Sequence, residues 1–170
     1  MLHNRFPIEE QMDTGPKQKK QNPDYKAQAA NALYRMEDGT IYQPSQHIIA
    51  MLTEAGKKQK QGRSTLSSLY ASGAIVITPF SIPHENQSWQ IDSRPVVVRA
   101  TKGRIVRHRP HLPEWALEFD IEFDEEDFKP ETVNEALVYG GRRIGIGDYR
   151  PQNKGPFGRF IVVKFEKVGK

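Results

Sequence analysis

The sequence predicts an α+β fold with a ferredoxin-like core: a mainly antiparallel sheet, helices on one face, and a long glycine-rich loop before the last strand. Three observations carry this expectation. Trp115, Leu117, Phe119, Ile121 and Phe123 alternate with Ala116, Glu118, Asp120 and Glu122, the period-two pattern of a strand with one wet face. Residues 130–139 place Val133, Ala136 and Leu137 at helical spacing behind Pro130, a residue suited to a first helical turn. Residues 159–166, RFIVVKFE, are rich in β-branched and aromatic side chains and read as a returning strand. A strand hairpin, a helix and a returning strand make half of a split βαβ unit.

The remaining elements follow in chain order. Residues 1–24 are polar, with Pro7, Pro16 and Pro23 around Lys17, Lys19 and Lys20, and predict a flexible N-terminal arm. A single α+β domain is expected over residues 25–170. Residues 25–36 are good helix formers, stopped by Gly39. A short strand at 40–42 leads to a helix with Ser45 as N-cap, Ile48, Ile49, Leu52 and Ala55 on one face, and Gly56 as its end. A basic loop, KKQKQGR, precedes a short helix beginning at Ser64 with Leu66, Leu69 and Tyr70 as its apolar face. Residues 74–78 predict a buried strand and 89–91 a short one. Residues 95–100 and 104–109 are strand-like on either side of Lys102 and Gly103, and Gly140 is expected as the C′ residue of the helix at 130–139.

The chain has 170 residues, enough for a real core, yet only 36% hydrophobic residues. It has no cysteine, which excludes disulfides and thiolate metal sites and agrees with a reducing compartment. No stretch reaches the roughly 18 apolar residues of a membrane span, and MLHNRFPIEEQM does not resemble a secretory signal. A soluble, cytoplasmic protein without a membrane partner is therefore expected. Net charge is only +4, but it is segregated. Residues 94–111 hold six Lys or Arg and no acid, 112–135 hold ten acids and one lysine, and 140–170 hold eight bases and two acids. Such blocks predict distinct charged faces.

Two basic segments are candidate sites. GGRRIGIGDYRPQNKGPFGRF, residues 140–160, surrounds its glycines with Arg142, Arg143, Arg150, Lys154 and Arg159. It follows a helix rather than a strand and lacks a third glycine after Gly145 and Gly147, which argues against a dinucleotide or phosphate-loop site. A glycine-rich lip for a nucleic-acid backbone is one reading, and an ordinary connection with solvated arginines is the other. In the second segment, Arg99, Lys102, Arg107 and Arg109 could track phosphates, with Tyr149, Phe157 or Trp115 as stacking surfaces. The competing reading pairs these arginines across strands with Glu118, Asp120 and Glu122. His108, His111 and Glu114 match no common ligand spacing, and the acidic turn at 124–127 is not an EF-hand loop, so neither metal nor cofactor is expected. His84, His108 and His111 are candidate acid–base groups, but nothing in the sequence pairs them with a nucleophile.

Residues 95–126, PVVVRATKGRIVRHRPHLPEWALEFDIEFDEE, followed by RRIGIGDYRPQNKGPFGRF, resemble an uncharacterised family of bacteriophage and prophage proteins. In that family an arginine-flanked strand, a strand alternating from a tryptophan, a helix and a Gly-x-Gly-Asp-aromatic-Arg-Pro ending recur in this order. The placement of the glycine loop is also similar to that of the RAMP superfamily, ferredoxin-like proteins that bind or process CRISPR RNA. That resemblance implies RNA-backbone contacts at Gly145, Gly147, Asp148, Arg150, Gly155 and Gly158, with Arg107 and Arg109 nearby. Members of the phage family begin with a strand ending in PLLMHN, whereas this chain begins MLHNRF. A missing first strand would expose 160–165 or a neighbouring strand and favour pairing with another chain. The resulting expectation is a non-enzymatic protein of phage or mobile-element origin, acting in the host cytoplasm and binding single-stranded nucleic acid, RNA by preference. A self-assembling structural or interaction protein is the alternative, and a RAMP-like ribonuclease the third.

Overall fold

A computed structural model describes residues 24–97 and 103–168. The arm expected at residues 1–24 lies outside them except for Asp24. The described chain is α+β, with small antiparallel sheets and four helices. The strands are β1 (Tyr42–Pro44), β2 (Lys60–Gln61), β3 (Ser64–Thr65), β4 (Ile75–Thr78), β5 (Ser81–Pro83), β6 (Gln90–Val97), β7 (Arg104–His111) and β8 (Asp120–Phe123). The helices are α1 (Tyr25–Asn31), α2 (Ser45–Gly56), α3 (Ser67–Ala71) and α4 (Pro130–Tyr139). Four two-stranded sheets pair β1 with β5, β2 with β3, β4 with β8, and β6 with β7. The chain divides into two compact units, one taking the sequence up to Tyr42 with Pro83–Ala116, the other Gln43–Ile82 with Leu117 onward.

In the first unit, Asp24 starts α1 rather than ending an arm. Its carboxylate accepts from the N–H groups of Lys26 and Ala27, both at 3.0 Å, two of the donors a helix start leaves unpaired. β6 and β7 then form an antiparallel ladder in which Asp92 faces Arg109, Arg94 faces Arg107 and Val96 faces Ile105. The core is a cluster of Leu33, Ile41 and Leu112 with Tyr34, Trp89 and Trp115 packed against it. Gln87 ties two segments of this unit together: its Oε1 accepts from the Ile41 N–H at 2.6 Å, and its Nε2 donates to the His84 carbonyl at 2.5 Å.

In the second unit, β4 and β8 share one buried and one wet face. Ile75 faces Phe123 and Ile77 faces Ile121 on the inner side, while Val76 faces Glu122 on the outer. α2 packs on β4 and buries Ile48, Met51, Leu52 and Ala55, and α4 packs on α2 and buries Val133, Ala136 and Leu137. The spacing predicts all of these but Met51, which is buried in place of the expected Ile49, while Ile49 is half-buried. Tyr70 and Phe128 close the layer with ring centroids 4.7 Å apart. Burying side chains of this size contributes roughly 1.5–3 kcal/mol each.

Several expectations are corrected. The strand read across Trp115–Phe123 is regular only over β8, because its partner ends at Thr78 and the following Pro79 has no N–H to extend the ladder. The alternation of burial nevertheless persists over all nine residues. Residues 159–166 form no strand: beyond Phe160 they have no backbone partner among the described residues. Ser45 is not the N-cap of α2 but its first residue, with its N–H donated to the Phe80 carbonyl at 2.9 Å. Ser64 and Thr65 belong to a small hairpin with Lys60 and Gln61, not to α3. Gly140 does not stop α4, since its helical φ of −57° lets the chain run on through a π-turn over Gly140–Ile144. Gly145, at φ +72°, ends it.

That π-turn and the return at Gly158 meet closely. Gly158 has φ +69°, and a Cβ there would stand 1.8 Å from the carbonyl oxygen of Ile146. Gly158→Ala is therefore expected to lower stability by more than about 1 kcal/mol, since both the backbone conformation and the space exclude a methyl group. Urea denaturation checks this, and an alanine variant as stable as the parent would contradict it.

Candidate functional site

The second unit carries a cleft of about 1010 Å³ on the outer side of α4. Its wall includes Tyr139 and Val138 from the last turn of α4, Arg142 and Arg143 from the π-turn, and Arg159 and Phe160 from the returning chain. The local sequence explains the convergence. The π-turn over Gly140–Ile144 carries Arg142 and Arg143 past the end of α4, and the N–H of Phe160 donates to the Gly141 carbonyl at 3.2 Å. That bond is possible because Gly141 has no side chain: a Cβ there would lie 2.4 Å from the Phe160 oxygen. Arg142, Arg143 and Arg159 are exposed, and none of them meets a carboxylate within ion-pair distance among the described residues. Three guanidiniums against one carboxylate, Glu135, beside a tyrosine and a phenylalanine suit a planar, negatively charged ligand.

The other expected residues are distributed differently. Gly145, Gly147, Asp148, Tyr149, Arg150, Lys154, Gly155 and Gly158 lie in the same loop but do not line the cleft. Arg150 serves the loop itself, donating to the Gly147 carbonyl at 2.9 Å and to Gln152 Oε1 at 2.8 and 3.1 Å. Asp148 accepts from the N–H of Tyr149 at 2.9 Å. Tyr149 packs with Phe157 at a centroid separation of 6.2 Å, so the two proposed stacking residues face each other. Beside Gly155 the free space is filled by the main chain of Tyr149, whose oxygen lies 1.8 Å from where a Cβ would stand. Lys154 is exposed at φ +62°.

Arg107 and Arg109 stand on β7 in the first unit, while Arg99 and Lys102 lie outside the described residues. β7 pairs with β6, so the acid directly across from Arg109 is Asp92, not Glu118, Asp120 or Glu122. Arg94, opposite Arg107, is held by Asp92 through two contacts at 2.8 and 2.9 Å. Comparison with protein-family models, with characterised proteins and with solved structures returns no match.

Sequence reading missed the contribution of α4. Asn134, Glu135, Val138 and Tyr139 line the cleft, and the signal for them was present. Once Val133, Ala136 and Leu137 are assigned to the core, Val138 and Tyr139 remain as apolar residues on another side of the helix.

The three histidines differ in setting. His108 Nδ1 lies 2.7 Å from Ser93 Oγ and its ring stacks 4.1 Å from that of Tyr25. His111 is held below the usual imidazole range, chiefly by partial burial. His84 is 6% exposed, packs edge-on to Trp115 with centroids 6.2 Å apart, and has no hydrogen-bond partner on either ring nitrogen among the described residues. Burial lowers its pKa to about 4. It is neutral at physiological pH and shut away from any substrate.

This burial links stability to pH. Between pH 6.5, where an unfolded histidine titrates, and about 4, the unfolded chain binds a proton that folded His84 refuses. Stability is complete above that window and falls as pH is lowered through it, by about 2 kcal/mol at pH 5. His47, also lowered by burial and by the nearby Arg150, adds in the same direction. Urea midpoints at pH 7 and pH 5 should move closer together in His84→Leu than in the parent chain. Equal spacing in both would remove His84 as the source.

Proposed function

We propose that this chain is a non-enzymatic nucleic-acid-binding protein of phage or mobile-element origin that takes single-stranded RNA in the cleft beside α4. The observation that supports this reading is the convergence of Arg142, Arg143 and Arg159, without an ion pair among the described residues, around Tyr139 and Phe160, with Glu135 the acid in the wall. Phosphates would meet the guanidiniums and a base would lie against a ring, the two interactions that bind single strands without reading sequence. β4, β8 and α4 follow one another in the order of a ferredoxin-like unit, with residues 159–166 returning past Gly158 without forming its last strand, and the RAMP resemblance implies RNA as the ligand class. Action in the host cytoplasm follows from that reading. The buried state of His84 weighs against a ribonuclease that uses it as acid or base.

Fluorescence anisotropy with a labelled oligouridylate tests the proposal. Binding should weaken steeply between about 50 and 200 mM salt. Replacing Arg142, Arg143 and Arg159 together by alanine should flatten the log–log salt slope by about 2, at about 0.7 per lost phosphate contact. Absence of binding at the low-salt end, or an unchanged slope in the triple variant, would refute it.

A further inference from the structure

From Ile161, which also lines the cleft, residues 161–168 run on as an extended segment that no strand covers among the described residues. Ile161 is 79% and Val163 89% exposed, while Phe160 and Val162 are half-buried, so side chains alternate as on a strand over residues 160–163. The ion pair of Lys164 Nζ with Glu166 Oε1, at 2.7 Å, joins two side chains two residues apart on one side, as an extended chain requires. Lys167 Nζ is pinned to Glu125 Oε1 at 2.5 Å, which anchors the far end to the second unit. No backbone group from 161 to 168 has a partner among the described residues. An edge that is long, apolar, β-branched and free of proline is a template for another strand.

We infer that this edge pairs with the same edge of a second copy of the chain, antiparallel and centred on Val162. The choice of partner rests on self-complementarity. A two-fold axis normal to a sheet keeps each residue on its own face, so the pairing must centre on one residue. Centring on Val163 would set Arg159 against Lys167, like charge against like. Centring on Ile161 would run Glu166 against Pro156, inside the loop that Gly158 closes. Centring on Val162 places Ile161 opposite Val163, Phe160 opposite Lys164 and Arg159 opposite Phe165. No like charges then face each other, and both flanks gain a cation against an aromatic ring.

The hydrogen-bond directions agree. Phe160 gives its N–H to Gly141, toward the body of the unit. Successive residues of a strand address opposite edges, so Ile161 and Val163 present their N–H and C=O groups outward. In the proposed register these two form the hydrogen-bonded pairs, and Val162 meets its own copy as a non-hydrogen-bonded pair, the closer of the two kinds.

The absence of native cysteine makes the register directly testable. The parent chain should sediment as a dimer of twice 19.5 kDa without nucleic acid. Val163→Pro, which removes an outward N–H at an exposed position, should sediment as a monomer that keeps the parent's circular-dichroism spectrum and unfolds cooperatively, with a midpoint that no longer depends on protein concentration. Under mild oxidation Val162→Cys should form a disulfide-linked dimer and Val163→Cys should not, because only residue 162 stands opposite itself. A monomeric parent chain would overturn the inference, as would a dimer indifferent to Val163→Pro. Cross-linking through residue 163 but not 162 would overturn it equally. None of these readouts involves nucleic acid, so failure here is distinct from failure of the RNA-binding proposal.

Discussion

The N–H of Ile146 donates to the carbonyl of Gly158 at 2.9 Å, and the N–H of Phe160 donates to that of Gly141 at 3.2 Å, so two stretches of main chain lie directly against each other. Side chains would hold them apart. At Gly141 and Gly158 even a methyl group would fall within 2.4 and 1.8 Å of a carbonyl oxygen. This main-chain contact brings Arg159 beside Arg142 and Arg143, residues sixteen or more positions earlier in the sequence. The glycines thus have a structural task, and the arginines they bring together are what a ligand would meet.

The same contact explains why the loop's own polar groups are unavailable. Arg150 and Asp148 satisfy main-chain groups within the loop, and Tyr149 is held against Phe157. A long connection with many glycines loses much conformational entropy on folding, and local hydrogen bonds offset it. Cations at the loop's two ends are spared that duty. Division of labour inside one segment separates Arg150, which holds the loop, from Arg142, Arg143 and Arg159, which do not.

Much of this was legible in the sequence, and the failures have identifiable causes. Helical periodicity placed the buried faces of α2 and α4 correctly, because Ile48, Leu52, Val133 and Leu137 leave little choice of inward side. Strand periodicity did as well for burial but not for pairing. The alternation from Trp115 to Phe123 is real, yet hydrogen bonds require a partner of equal length, and Pro79 ends β4. RFIVVKFE has no ladder partner among the described residues for a related reason: β-propensity describes a chain ready to pair, not a neighbour to pair with. The candidate site was half visible. Its arginines stood out, and Val138 and Tyr139 were legible as apolar residues left over from α4's core face, but the placing of Arg142 and Arg143 beside them depended on Gly140 continuing the helix, a choice that local sequence does not decide.

Arg159 joins the two proposals physically, since it lines the cleft and also begins the exposed edge. In a pairing centred on Val162, Arg159 of one copy lies opposite Phe165 of the other, six residues along the strand from its counterpart. At 3.3–3.4 Å per residue the two copies of Arg159 would stand about 20 Å apart along the strand direction. A single strand of RNA long enough to reach both clefts would then be held twice. Its second contact would be intramolecular, which raises apparent affinity without any new kind of interaction. Dimerisation would in that case act on binding through geometry alone, and Val163→Pro would weaken long oligonucleotides while leaving short ones unaffected.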